Sequence, residues 1–337
     1  DNNMDKWEKF KENPVIESTE WGITKLKDSS GKNTFVGSAD PSNIWKKNGK
    51  YYLLTGNLLV LRKFGSKGKG LPANKEENIL PKDSISYQGD RLYLFESENL
   101  VDWSYLNEFY DSNREWTSKT EDNMCPTFLP LPSKPSGGKS SSKHLLLFIS
   151  HNRGCQYYVG DYKKNNFYPD NHGRMSWNDN GFFAPEAMVD GNGRQIMWAW
   201  VFDYRPKHMV SKSGWSGTYS LPRSLWLGKD GTLRIRPVEE LKSLRINEKS
   251  FKNLKVNAET KINLDDFNSG LMELEVIIEP NEAHKFGLEI GVSEDGLEKT
   301  VIYYDSLENK IVVDNRDSGL DLGNKIVEKA PLKLKVN

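Results

Sequence analysis

Hydrophobic positions along this chain come in short runs cut off by turn residues. The clearest runs are YYLLTGNLLV (51–60), RLYLFES (91–97), HLLLFIS (144–150), CQYYVGD (155–161), RQIMWAWVFD (194–203) and GTYSLPRSLWL (217–227). Between such runs lie Asn48-Gly49, Asp190-Gly191, Asn192-Gly193, Asp230-Gly231 and Asp295-Gly296, pairs that accept the positive φ of hairpin turns. No long window keeps an apolar period of 3.6 residues between caps, apart from a short turn at PVEELKSLR (237–245). The pattern predicts an all-β chain. Many short strands at even spacing mean a sandwich, a barrel or a propeller. A weak echo between DNNMDKW (1–7) and ENLVDW (98–103), each closing a turn with Trp, points to a repeated hairpin unit of the propeller kind.

The texture changes near residue 245. Nine of the ten Trp lie in 1–215 and the last is Trp226. Beyond 250 the pattern turns to alternating strands, LMELEVIIEP (271–280), HKFGLEIGV (284–292), KTVIYYD (299–305) and KIVVDNR (310–316), as expected of a sandwich sheet with one polar face. The expected division is 1–245 and 246–337. The polar segments 62–90 and 132–143, rich in Gly, Pro, Ser and Lys, are expected to be surface connections. DNNMDKW at one end and the strand-like LKLKVN at the other read as places where a longer chain has been cut.

Composition narrows the partners. Forty-seven basic residues balance forty-seven acidic ones, and the mean hydropathy is −0.70, which argues against a basic nucleic-acid binder. No apolar run is long enough to span a bilayer as a helix. Ten Trp, 14 Tyr and 14 Phe suit both a β core and the stacking of sugar rings. Cys125 and Cys155 are expected to be reduced and buried. Neither they nor the five His have metal-ligand spacing, so no metal or other cofactor is expected.

Carboxylates are the remaining reactive groups. Asp40 precedes Pro41 at a strand start, which holds its backbone extended. Glu121 and Asp122 precede the Pro-bounded apolar run from Cys125, and adjacent carboxylates facing a pocket raise one another's pKa, as a general acid needs. An acidic turn is the alternative for each. His151 ends an apolar strand, Glu186 follows Pro185 at another strand start, and Trp45 is an aromatic near Asp40 that serves either as a sugar platform or in the core.

Taken in order, NPVI (13–16), ADPSNIW (39–45), LVDWSYL (100–106), CPTFLPL (125–131), FFAPEAM (182–188), GRQIMWAWV (193–201), GWSGTYSLPR (214–223) and DGTLRIRPVEELKSLR (230–245) resemble glycoside hydrolase family 32, the invertases, levanases, inulinases and other β-fructosidases. The resemblance implies a five-bladed β-propeller, here N-terminally incomplete, followed by a partial β-sandwich. It implies a retaining hydrolase of sucrose, levan or inulin type, with a saccharide partner and neither nucleic acid nor membrane, commonly secreted or periplasmic. Oligomeric state is left open. The family uses an Asp nucleophile, an Asp in Arg-Asp-Pro that holds sugar hydroxyls, and a Glu in a Glu-Cys-Pro-like motif as acid/base. Asp40 matches the second, with Ala39 in place of Arg. Met124 stands before Cys125, so the resemblance passes the acid/base role to Asp122 or Glu121. His151, Glu186 and Trp45 become candidate sugar contacts. No Asn-Asp-Pro-Asn-Gly segment occurs in the 337 residues, so the nucleophile is expected upstream. A carbohydrate-binding propeller without catalysis and a divergent glycosidase or fructosyltransferase stay open beside this reading.

Overall fold

The computed structural model describes residues 6–19, 22–27, 30–66, 80, 84–177, 181–258, 260–264, 269–319 and 325–334. The chain forms two packed units, residues 1–176, 180–201 and 218–236 in one and 177–179, 202–217 and 237–337 in the other.

The first unit is a series of antiparallel sheets. A hairpin of β1 (Ile23–Lys27) and β2 (Asn33–Gly37) comes first. Next, β3 (Ala39–Pro41) and β4 (Trp45–Lys47) both pair with β5 (Lys50–Gly56), which leads on to β6 (Tyr93–Ser97) and β7 (Ser104–Glu108). The third sheet is a four-strand meander of β8 (Met124–Pro132), β9 (Ser140–Ser150), β10 (Gly154–Lys163) and β11 (Asn166–Arg174). The fourth holds β12 (Phe182–Val189), β13 (Gln195–Val201), β14 (Thr218–Tyr219), β15 (Arg223–Leu227) and β16 (Leu233–Pro237). No sheet closes on itself among the described residues.

Alternation along β9 explains how these sheets stack. Leu146 and Phe148 enter an aromatic cluster with Tyr52, Leu54, Leu94, Phe109, Phe128, Tyr158 and Phe167. Their neighbours Leu145 and Leu147 face the other way, against Leu131, Val159, Met197, Leu225 and Leu233. The second sheet likewise puts Leu53, Tyr93 and Phe95 against Val36 of the hairpin. A sheet buried on both faces needs apolar residues at consecutive positions, which is why HLLLFIS reads as an unbroken run. Sheets packed face to face in chain order are what a stack of blades requires.

In the second unit β17 (Lys285–Ile290), β18 (Thr300–Asp305), β19 (Lys310–Asp314) and β20 (Val327–Pro331) form an antiparallel meander. The strands expected at 284–292, 299–305 and 310–316 are therefore present. The one expected at 271–280 is not: those residues make no ladder, and Leu271 and Ile277 are 93% and 87% exposed. Alternation supplies a face, but a strand also needs a partner for its backbone groups.

Three other expectations change. The run 51–60 splits, because β5 stops at Gly56 and a short helix α1 (Leu59–Phe64) begins. Asn57 makes the break: its side-chain oxygen accepts from the Leu59 N–H at 2.9 Å while its amide donates to Tyr93 Oη at 3.1 Å. Leu59, Val60 and Leu61 are all buried, so no polar face reveals the helical period. The run 217–227 breaks into β14 and β15 around Leu221-Pro222. The segment 207–213 is a second helix, α2 (Lys207–Ser213), in the second unit. The turn at 237–245 is a 3-10 helix over Glu239–Leu244. Most of the 62–90 connection and the first half of the Trp echo lie outside the described residues.

Candidate active site

Three consecutive sheets open with the same local device. Asp40 in β3, Cys125 in β8 and Ala184 in β12 have φ of 43°, 49° and 44°, and each is followed by proline (Pro41, Pro126, Pro185). Each lies at a break in strand register, between Ala39 and Pro41, Met124 and Thr127, and Phe183 and Glu186. Asp40 is therefore not in the extended conformation expected of a residue before proline, and a side-chain-bearing residue held at positive φ costs about 1–3 kcal/mol. The proline gives up no ladder bond where the register is already broken, and a bulge re-aims the side chains on either side of it.

The re-aimed groups meet. Cys125 Sγ donates to Asp40 Oδ2 at 3.4 Å. From β8, Thr127 Oγ1 donates to Glu186 Oε2 on β12 at 2.9 Å. Asp122 takes the backbone N–H of His151 at 2.9 Å through Oδ1 and the ring Nδ1 at 2.7 Å through Oδ2, and the His151 ring meets the Phe183 ring at 5.6 Å.

Electrostatics ties these contacts into one constellation. Burial pushes the Cys125 thiol far up, and the negative charges of Asp40, Glu186 and Asp122 add to that. Glu186 is raised by partial burial, with Asp40 adding to the shift and the Thr127 hydroxyl opposing it. Burial alone would lower His151, but the hydrogen bond and charge of Asp122, with Asp40 behind them, leave it raised.

Glu121 and Asp122, the two expected acid/base candidates, are both buried and held by protein groups. Glu121 is 2% exposed and forms a two-point ion pair with Arg174 at 2.9 and 3.1 Å. It also accepts from Gln156 at 3.1 Å and the Ser118 N–H at 2.9 Å. Burial works against its ionisation, yet Arg174, Ser118 and Gln156 together hold its pKa below the ordinary value. Asp122 is fully buried and has both oxygens on His151. Buried and bound in this way, both carboxylates hold neighbouring side chains in place.

Trp45 is partly buried against the aromatic core. It lies against Tyr52 (5.8 Å), Phe128 (5.3 Å), Tyr162 (6.1 Å) and Phe109 (6.2 Å) in the aromatic cluster, so its faces are covered by protein. Both cysteines are free, Cys155 buried and Cys125 half-buried. Among the described residues no group of three or more His, Cys, Asp or Glu could hold a metal ion.

Ala39 and Met124 belong to a single apolar cluster. Met124 is 3% exposed and packs with Ile149 and Cys155, and Ala39, Phe182 and Phe183 pack on this group. The two positions where the sequence departs from the charged motif residues thus share one apolar cluster. Thr127 and Cys125 are contacts the sequence reading missed. The signal for them was the threefold recurrence of a residue followed by proline at a strand start, in ADP, MCPT and FAPE.

The profile described as the N-terminal domain of glycosyl hydrolases family 32 matches residues 83–237, and that of the family 32 C-terminal domain matches residues 240–337. The chain belongs to glycoside hydrolase family 32. It is 29% identical over 267 residues to a levanase of Bacillus subtilis, covering 73% of the chain and 38% of that protein. It is 28% identical over 268 residues to a sucrose-6-phosphate hydrolase of Zymomonas mobilis, covering 74% and 49%. The matches thus span less than half the length of these curated relatives. Among solved structures, a fructan 1-exohydrolase IIa variant from Cichorium intybus in complex with 1-kestose superposes with a TM-score of 0.66 at 20% identity, covering 95% of this chain and 62% of that one. A β-fructofuranosidase of Bombyx mori gives 0.58 at 18% identity, covering 97% and 58%. These likenesses place the mostly-β family 32 chain in the fold of those enzymes.

Proposed function

We propose that the protein is a β-fructosidase that cleaves sucrose-, levan- or inulin-type substrates with retention. The observation that carries this reading is that two exposed carboxylates, Asp40 bound by the Cys125 thiol and Glu186 bound by Thr127, lie at the bulged starts of neighbouring sheets. Asp40 holds sugar hydroxyls in this reading, as its Asp-Pro context implies, and the nucleophilic carboxylate comes from sequence outside the 337 residues. The hairpin and the three following sheets are read as successive blades of a five-bladed propeller. The names of the relatives support fructosides as the substrate class.

The test is release of free fructose from sucrose, levan, inulin and 1-kestose by the purified full-length protein, with galacto- and arabino-configured glycosides as controls. Fructose released from at least one fructoside, with the controls intact, supports the proposal. The burial of Met124 in an apolar cluster, with Ala39 packed against it, favours a second reading, a propeller that binds saccharides without cutting them. Saturable calorimetric binding of a fructan with no fructose released would select that reading.

A further inference from the structure

With Met124 packed in an apolar cluster and both Glu121 and Asp122 buried on partners, the role of proton donor needs another group. Glu186 is exposed on β12, the first strand of the fourth sheet, two residues beyond the strained Ala184. Thr127 holds its position in β8 two residues beyond the strained Cys125, and the two side chains meet across the gap between the sheets. That bond fixes Oε2. Among the described residues Oε1 makes no hydrogen bond, which leaves one carboxyl oxygen anchored and one available.

We infer that Glu186, anchored by Thr127 two residues along β8 from the Cys125 that binds Asp40, is the acid/base of this enzyme, in place of the carboxylate for which Met124 stands. The inference rests on the β-fructosidase reading. In the first step Glu186 gives its Oε proton to the glycosidic oxygen as the bond from that oxygen to the anomeric carbon breaks. The bond's electron pair stays on the departing hydroxyl, and the nucleophile's carboxylate bonds to the carbon. In the second step the Glu186 carboxylate takes a proton from water as the water oxygen bonds to the anomeric carbon, and the ester electrons return to the nucleophile. The partial burial and the nearby Asp40 charge that raise the pKa of Glu186 keep a larger share of it protonated before each turnover.

The test compares wild type, Glu186→Gln and Thr127→Val in the full-length protein on sucrose and on an aryl β-fructoside with an activated leaving group. For Glu186→Gln, kcat/KM on sucrose should fall by about 10²–10⁴ and on the aryl substrate by no more than roughly tenfold, because an activated leaving group needs little proton transfer. The alkaline limb of the sucrose pH profile should vanish in Glu186→Gln. It should move to higher pH in Thr127→Val, which keeps the shape at position 127 but removes the bond that holds Glu186 down. Equal loss on both substrates, or an alkaline limb unchanged in Glu186→Gln, would overturn the inference and leave the β-fructosidase reading standing. A wild-type protein that cuts neither fructoside removes that reading, and the inference with it.

Discussion

Replacing Arg174 by Met tests whether Glu121 is part of the scaffold. The substitution keeps much of the side-chain volume and removes both charge-assisted bonds to Glu121, at 2.9 and 3.1 Å, along with a bond to the Trp116 carbonyl at 3.0 Å. Glu121 would keep only the Gln156 amide and the Ser118 N–H, with Arg153 Nε 4.0 Å away from Oε1 on a side chain 44% exposed. Stranding one partner of a buried ion pair costs about 3–5 kcal/mol. Arg153 and the two remaining bonds put the expected loss near the lower end, about 3 kcal/mol.

The pH dependence carries a sign. In the wild type the Glu121 pKa is lowered by folding, so its contribution is full above its unfolded-state pKa and is lost as pH falls through the folded value. In Arg174→Met, burial dominates and the folded pKa rises above the unfolded one. The deficit of the variant is then largest at neutral pH and shrinks on acidification toward the ordinary carboxylate range. Urea unfolding followed by Trp fluorescence at several pH values measures this. A deficit under about 1 kcal/mol at pH 7, or one that does not change with pH, would refute the scaffold role.

Trp45→Ala should cost about 3 kcal/mol in the same unfolding assay, because it opens a cavity among four aromatic rings. It should leave KM for fructosides unchanged, and a raised KM with intact stability would return Trp45 to the site. In Asp122→Asn the His151 ring loses the bond and charge that raise it, so NMR titration should find its pKa below the ordinary 6.5; a value still above 6.5 would assign the wild-type shift to another group. In the wild type that raised pKa stabilises the fold below the ordinary histidine range, and the contribution fades as pH climbs through the folded value. Intact-mass alkylation at pH 8 should find both thiols slow, because burial holds Cys125 and Cys155 far above the usual thiol range. Rapid labelling of native Cys125 would contradict the crowding of carboxylates around it.

Local sequence determined the β character, the hairpin turns and the change of texture between the units. These follow from the two-residue alternation of strands and from the residues that accept positive φ, both of which are written within a few neighbours. Asn48-Gly49, for instance, turns β4 into β5 with φ of 50° and 84°. The run HLLLFIS showed a strand buried on both faces, but not which sheets would cover it. Helix α1 stayed hidden because its first four residues, Leu59 to Arg62, are all buried and show no polar face.

The site divides along the same line. The sequence singled out Asp40 and Glu186 through their prolines. It could not tell an exposed acid from one sealed in the core, since Glu121 and Asp122 stand beside a strand start much as those two do. Tertiary structure decided that by bringing Arg174 from β11 onto Glu121 and His151 from the end of β9 onto Asp122. It also joined Thr127 to Glu186 and Cys125 to Asp40, pairs 59 and 85 residues apart in the chain. Ionisation depends on burial and on charges supplied by other sheets, and those are fixed only when the sheets stack.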